Sequence, residues 1–182
     1  VTYNSRGVAY QDQEEYEKAI TDYDKSIELD PTDADTHYSR GFAYHYQEDY
    51  EKAIADYDKS IELDPTRAIT FYSRGRAYPD QEDYEKAIAD YTKSIELDPT
   101  DAVTYNSRGV AYQDQEDSEK AIADYTKSIE LDPTDADIHY NRGRDYQDQE
   151  EYEKAITDYD NSIELDPTDA YSPYRIRLDH HY

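Results

Sequence analysis

Apolar residues along the first thirty positions keep a helical spacing in two separate phases. Tyr3, Gly7 and Tyr10 stand at i, i+4 and i+7, and Tyr16, Ala19, Ile20, Tyr23 and Ile27 resume the rule after a polar break at Gln13-Glu14-Glu15. The pattern predicts two amphipathic helices joined by a short turn. The second is expected to end at Asp30-Pro31, because the residue before a proline avoids the helical region. Thr32 and Asp33 then offer the next helix its N-cap, and Thr32-x-x-Asp35 has the form of a capping box.

The pattern returns every 34 residues. Gly7, Gly41, Gly75, Gly109 and Gly143 form one column, and Pro31, Pro65, Pro99, Pro133 and Pro167 another. Residues 1–170 therefore divide into five units, at about 1–34, 35–68, 69–102, 103–136 and 137–170. A fixed period of this length indicates a solenoid, in which each unit buries its apolar face only by stacking on its neighbours. In residues 171–182, Tyr174 falls in the column of Tyr38, Tyr72 and Tyr140, but Arg177 takes the place of glycine. A degenerate sixth helix or cap with a frayed tail is expected there. The chain opens inside a repeat and without Met, as expected of a fragment or a processed product.

Within each unit, the residues equivalent to Tyr3, Gly7, Ala9, Tyr10, Tyr16, Ala19, Tyr23, Ile27 and Pro31 resemble the tetratricopeptide repeat, over about residues 1–168. The resemblance implies an all-α fold, a right-handed α-solenoid superhelix of antiparallel helix pairs. It also implies a concave face lined mainly by the first helix of each pair, where a peptide or partner protein is held.

Three features depart from the family pattern. A column of arginines (Arg6, Arg40, Arg74, Arg108, Arg142) precedes the glycines, and the second helices carry an equally constant acid (Asp22, Asp56, Asp90, Asp124, Asp158). An Arg to Asp bridge between the helices of each pair is expected, against the alternative that both side chains are merely solvated. The interhelix turn carries Glu14, Glu48, Glu82, Glu116 and Glu150 where the family has glycine, which strains the backbone if the turn needs a positive φ. Asp145 replaces a small apolar residue and Ser118 an aromatic one, so looser packing is expected in the later units.

The five units can be compared with one another. Tyr10, Ala19, Ile20, Tyr23, Ile27 and Leu29 hold constant columns, expected on packing faces. The columns that change lie on one stripe of the first helix, at i, i+3, i+7 and i+10. Its members include Asn4 and Val8; Tyr38, Phe42 and His45; Tyr72 and Arg76; Asn106 and Val110; and Tyr140 and Arg144. The resemblance places this stripe on the concave face. With Tyr46 added, these twelve residues are the candidate partner-binding groove, richest around Tyr38, Phe42, Tyr46, Tyr72 and Arg76, because rigid aromatics beside an arginine are typical interface anchors. The family's carboxylate clamp of Lys and Asn is not reproduced in the stripe.

Composition alters this picture in one respect. The formal net charge of −26 would favour a basic or neutral partner, yet the repeated columns alone hold thirty acids and fourteen bases, so sixteen of those charges belong to the scaffold. Acidity on this scale opposes nucleic acid and anionic lipid, whose phosphates need clustered Lys and Arg. No apolar run approaches membrane length, and without Cys there is neither a disulfide nor a thiolate metal site, which leaves the compartment open.

Site chemistry is sparse. The sequence has no P-loop, dinucleotide fingerprint or G-x-S-x-G motif, so no catalytic residue and no cofactor is expected and an enzyme is not. His37 and His139 occupy the column of Tyr3 and are expected to pack there; Asp179-His180-His181 reads as tail, so no metal is expected. The functional reading is a protein-interaction scaffold holding a peptide or partner in the groove. The alternative is head-to-tail self-assembly into an oligomer or filament through open ends, with Tyr3, Tyr10 and Tyr16 at one end and Tyr159, Ile163, Leu165 and Ile176 at the other.

Overall fold

The computed structural model describes residues 2–78 and 83–168; Glu82, Ile176, the stretch 171–182 and Asp179-His180-His181 lie outside them. Among the described residues ten helices alternate with short connections: α1 (Thr2–Gln11), α2 (Tyr16–Leu29), α3 (Ala34–Tyr46), α4 (Tyr50–Leu63), α5 (Ala68–Ala77), α6 (Tyr84–Leu97), α7 (Ala102–Asp114), α8 (Ser118–Leu131), α9 (Ala136–Asp148) and α10 (Tyr152–Leu165). They gather into two compact units. Residues 1–98 hold α1 to α6, and residues 99–182 hold α7 to α10.

The turns explain the spacing. After α3, Glu48 N–H donates to His45 O and Asp49 N–H reaches back to Tyr44 O, closing a Schellman motif that needs a left-handed residue between them. Glutamate fills that position, with φ of 59 to 62° at Glu14, Glu48, Glu116 and Glu150. Helix starts differ from expectation. Asp33, not Thr32, is the N-cap of α3: its carboxylate accepts from Asp35 N–H and from Thr36 Oγ1, and Asp101 caps α7 in the same way. Thr32 instead turns backward and donates both N–H and Oγ1 to Asp30, as Thr66 does to Asp64 and Thr134 to Asp132. A carboxylate one residue later sits nearer the first free N–H groups, so it takes the cap and leaves the threonine to close the turn.

Each pair is locked by one close approach. A Cβ at Gly75 would stand 2.7 Å from Tyr91 Cε1, and one at Gly7 2.6 Å from Tyr23 Cε1, so glycine lets the tyrosine ring lie flat on the first helix. Around that contact Ala19, Tyr23 and Ala43 are fully buried, with Tyr10, Tyr16 and Ile20 packed against them. Leu29 corrects the packing expectation, being 74% exposed. It lies two residues past Ile27, about 200° around the helix from the packing face. Ser26 takes the buried place at i+3 from Tyr23, and its equivalents Ser94 and Ser128 donate to Ala68 O and Ala102 O, pinning the end of one helix to the start of its partner.

The arginine column forms a ladder. Arg6 Nε and Nη2 bind Asp22 at 2.6 and 2.7 Å, and the same bidentate pair recurs at Arg40–Asp56, Arg74–Asp90, Arg108–Asp124 and Arg142–Asp158. The solvated alternative is thereby excluded. Nη1 then reaches the preceding pair: Arg40 to Asp24 at 2.6 Å, Arg74 to Asp58 at 2.5 Å and Arg142 to Thr126 Oγ1 at 3.0 Å. The planar guanidinium grips one carboxylate with the fork of Nε and Nη2 and keeps Nη1 for the neighbouring pair, a geometry that the single ammonium of lysine does not offer. His37 and His139 are buried beside this ladder, with Nδ1 at 3.4 and 3.3 Å from Asp56 and Asp158, so they are polar members of it as well as packing substitutes.

The junction between α8 and α9 is built differently from that between α2 and α3. Where Tyr16 stacks on Tyr46 with centroids 5.3 Å apart, Ser118 stands in the tyrosine column and Asp145 is fully buried in the alanine column. Gln113 Nε2 donates to Asp145 Oδ2 at 3.0 Å, while Oδ1 has no partner among the described residues. Elsewhere this glutamine accepts from the core tyrosine, as Gln11 does from Tyr23 and Gln147 from Tyr159. Asp145 draws Gln113 away, and Tyr125 Oη is left buried without a partner among the described residues. Burial pushes the Asp145 carboxyl up despite hydrogen bonding from Ser118 and Gln113.

Candidate functional site

In the first unit α1, α3 and α5 lie side by side, and the variable stripe runs across them. Tyr38 is its hub. Its ring tilts against the core ring of Tyr57 at 5.9 Å and against Phe42 at 6.5 Å, its hydroxyl lies 3.4 Å from Ser73 Oγ on α5, and the Arg67 guanidinium stands over its face at 5.0 Å. Phe42 continues to Tyr46 at 4.6 Å, and Tyr46 to Tyr16. His45 meets Tyr46 and Tyr50 edge-on, at 5.9 and 5.4 Å. These contacts form a continuous aromatic wall on α3. Desolvation pushes the hydroxyl of the core ring Tyr57 well above its ordinary range.

Tyr72 and Arg76 make a second cluster one helix along. Tyr72 tilts against Tyr91 at 6.0 Å, and the exposed Arg76 guanidinium stands 6.0 Å over the Tyr72 ring. The arginines of the ladder are all held by carboxylates, but Arg76 has no carboxylate partner among the described residues. On α1, Val8 is exposed, whereas the Asn4 amide oxygen is buried and has no hydrogen-bond partner among the described residues.

The second unit repeats the plan more thinly. Tyr140 tilts against Tyr159 at 5.7 Å and Arg144 is half-buried beside it, while Val110 packs into the cluster of Ala121, Tyr125 and Ile138. Asn106, like Asn4, keeps a buried amide oxygen without a partner among the described residues. The last position of the stripe is occupied structurally in three pairs, since Gln11, Gln113 and Gln147 all bond inward.

Of the residues assigned to the open ends, Tyr3, Ile163 and Leu165 are exposed. Tyr10 is half-buried in the first core, Tyr16 is stacked on Tyr46 and Tyr159 faces Tyr140, so these three rings are engaged within the array. Arg67 was missed. It stands in the column of Asp33, Asp101 and Asp135, gives up the side-chain cap of α5, and pairs with Asp35 while covering Tyr38. A basic letter in an otherwise acidic column was the signal. Among the described residues no group of three or more His, Cys, Asp or Glu side chains is arranged to hold a metal, and no helix is long and apolar enough to cross a membrane.

Comparison with curated protein sequences gave no match. Solved structures share the fold. MamA is 24% identical over 90% of this chain and 96% of its own, with a TM-score of 0.85; residues 41 to the end of MamA from Desulfovibrio magneticus RS-1 are 23% identical over 91% and 94%, also at 0.85. YrrB, described as a TPR protein with an unusual peptide-binding site, is 26% identical over 92% and 87%, at 0.80. A family profile described as TPR repeat matches residues 7–48 and 75–116, and one described as Tetratricopeptide repeat matches 34–67, 102–135 and 136–169. Helix pairs held by a glycine and tyrosine contact, an all-α fold shared with these structures and profile matches through most of its length place this chain in the tetratricopeptide repeat family.

Proposed function

We propose that this protein-interaction scaffold holds a peptide across α1, α3 and α5. The observation that carries the reading is the coincidence of the variable stripe with a continuous aromatic wall beside a guanidinium that has no carboxylate partner among the described residues: Tyr38, Phe42 and Tyr46 next to Tyr72 and Arg76. Aromatic side chains supply contact area with little loss of rotamer freedom, and an arginine supplies a directional anchor. YrrB is named for a peptide-binding site, which supports the same use of this fold.

The ligand chemistry follows from the two scales of charge. At distances beyond a Debye length of about 8–10 Å the framework favours a partner that is neutral or basic overall. At contact distance Arg76 favours one acidic side chain or a peptide carboxylate, placed beside an apolar residue that lies on the Tyr38–Phe42 wall.

Selection of binders from a displayed random-peptide library tests this. The wild-type chain should enrich peptides with an aromatic or aliphatic residue near an acid, and Phe42→Ala combined with Arg76→Glu should weaken the best of them by about thirtyfold or more with helical content unchanged. Equal affinity for the double variant would refute the groove. Tyr38→Ala with Tyr72→Ala should act in the same direction, with some loss of stability because both rings touch the core.

A further inference from the structure

Two departures from the repeat meet inside the second unit. The column that buries Ala43, Ala77 and Ala111, each at most 2% exposed, holds Asp145 on α9, and the column of Tyr16, Tyr50, Tyr84 and Tyr152 holds Ser118 on α8. Ser118 hydrogen-bonds the Asp145 carboxyl, and Gln113 of α7 donates Nε2 to its Oδ2 at 3.0 Å. Three helices thus converge on one fully buried carboxyl. An ionised carboxylate offers about four acceptor sites, yet Oδ1 has no hydrogen-bond partner among the described residues. The other buried aspartates of this unit are each gripped by an arginine fork, Asp124 by Arg108 and Asp158 by Arg142.

Four helices contribute to the field at this site. On α9, Arg144 favours the carboxylate and Asp148 favours the acid. Tyr125 of α8 and Tyr159 of α10 both feel the charge of Asp145, and Asp114 of α7 and Asp124 of α8 act on Tyr125 in turn. Burial pushes both phenols above their ordinary value of 10.0, so neither ionises in the acid range. At Asp145 burial outweighs the hydrogen bonds and Arg144 together and pushes the carboxyl up.

We propose that Asp145 is a proton-operated latch in the second unit: the neutral acid closes α9 onto α8, and loss of the proton loosens that junction until the carboxylate meets water. One proton is exchanged with solvent, and no other covalent bond changes. A carboxyl raised on folding contributes stability below its unfolded value near 3.8 and loses it as pH rises through the folded value. The latch is therefore shut in acid and released toward neutrality. Tyr140 and Arg144 stand on α9 with Asp145, so the same proton sets how firmly this part of the stripe is held. The first unit keeps alanine at both equivalent junctions, Ala43 and Ala77, and has no such latch there.

Hydrogen–deuterium exchange of the full 182-residue chain at about pH 4.5 and about pH 7.5, corrected for the pH dependence of intrinsic exchange, provides the test. Amides of α8 and α9 should lose protection by about fivefold or more at the higher pH, while those of α3 and α4 change by about twofold or less. Asp145→Asn keeps the shape without the charge, and Asp145→Ala restores the residue of the other repeats. Both should hold the protection of α8 and α9 constant to within about twofold, and the alanine variant carries the test if the asparagine variant folds poorly. Ser118→Ala removes a hydrogen bond that favours the carboxylate and should move the transition to higher pH. Wild-type α8 and α9 that respond no more than α3 and α4 overturn the inference. A pH response that survives in Asp145→Ala overturns it as well, and a transition that fails to move up in Ser118→Ala overturns the three-helix site on which it rests.

Discussion

The first helix pair and the third carry the same Arg–Asp bridge in different surroundings. Arg6 binds Asp22 with its guanidinium mostly in water, and its hydrogen bonds hold the Asp22 carboxyl below the usual carboxylate range. Arg74 binds Asp90 with both side chains largely covered and a further carboxylate, Asp58, on Nη1. There burial dominates: the Asp90 carboxyl is pushed up although the bonds to Arg74 pull it down. The Arg6–Asp22 pair keeps its cation in water and its carboxylate favoured, whereas at Arg74–Asp90 the cost of burial outweighs the attraction. What a neighbouring pair adds is burial, and burial decides what the constant columns contribute.

The largest test of that contrast removes the cation. Arg74→Met should lower stability by about 3 kcal/mol or more, since Asp90 is left buried without its partner, whereas Arg6→Met should lower it by about 1 kcal/mol or less. Chemical denaturation midpoints of the two variants give the comparison; equal losses would mean that the bridge does not sense its neighbours.

A second test addresses the one junction where a carboxylate stands in the alanine column. Asp145→Ala should stabilise the chain by about 1–2 kcal/mol, because it removes a buried carboxylate with an unpaired oxygen and frees Gln113 to accept from Tyr125 as Gln11 does from Tyr23. Thermal unfolding with and without the substitution reads the sign. A destabilised variant would show that this junction is held together by Asp145.

The smallest effect is a difference in pH slope. Asp22, with its pKa lowered on folding, stabilises the folded chain above its unfolded value near 3.8 and loses that contribution as pH falls through the folded value. Asp90, with its pKa raised, favours folding in its neutral form, so its contribution is present below 3.8 and is lost as pH rises through the folded value. Between pH 6 and pH 3 the stability difference between wild type and Asp22→Asn should shrink, while that between wild type and Asp90→Asn should move in favour of the wild type. Slopes of the same sign would contradict the burial argument.

Much of this architecture was legible in the columns. Residues that repeat every 34 positions must answer to the same contacts, so the Arg6 and Asp22 columns announced the bridge and Glu14 announced the left-handed turn. What the columns could not show was direction around each helix and the choice among adjacent polar groups. Leu29 is constant yet exposed, Ser26 is polar yet buried, and the cap passed from Thr32 to Asp33 by one residue of geometry. The Arg67 cover on Tyr38 and the capture of Gln113 by Asp145 connect residues 29 and 32 positions apart, beyond any spacing that a single helix pattern encodes.

On the proposed reading a peptide lies along the variable stripe of α1, α3 and α5. A library-selected peptide carrying a photoactivatable residue beside its acid, irradiated on the wild-type chain and mapped by mass spectrometry, tests it directly. Adducts should fall on α3 and α5, at Tyr38, Phe42, Tyr46, Tyr72 and Arg76. Adducts confined to the exposed faces of α2, α4 and α6 would contradict the account.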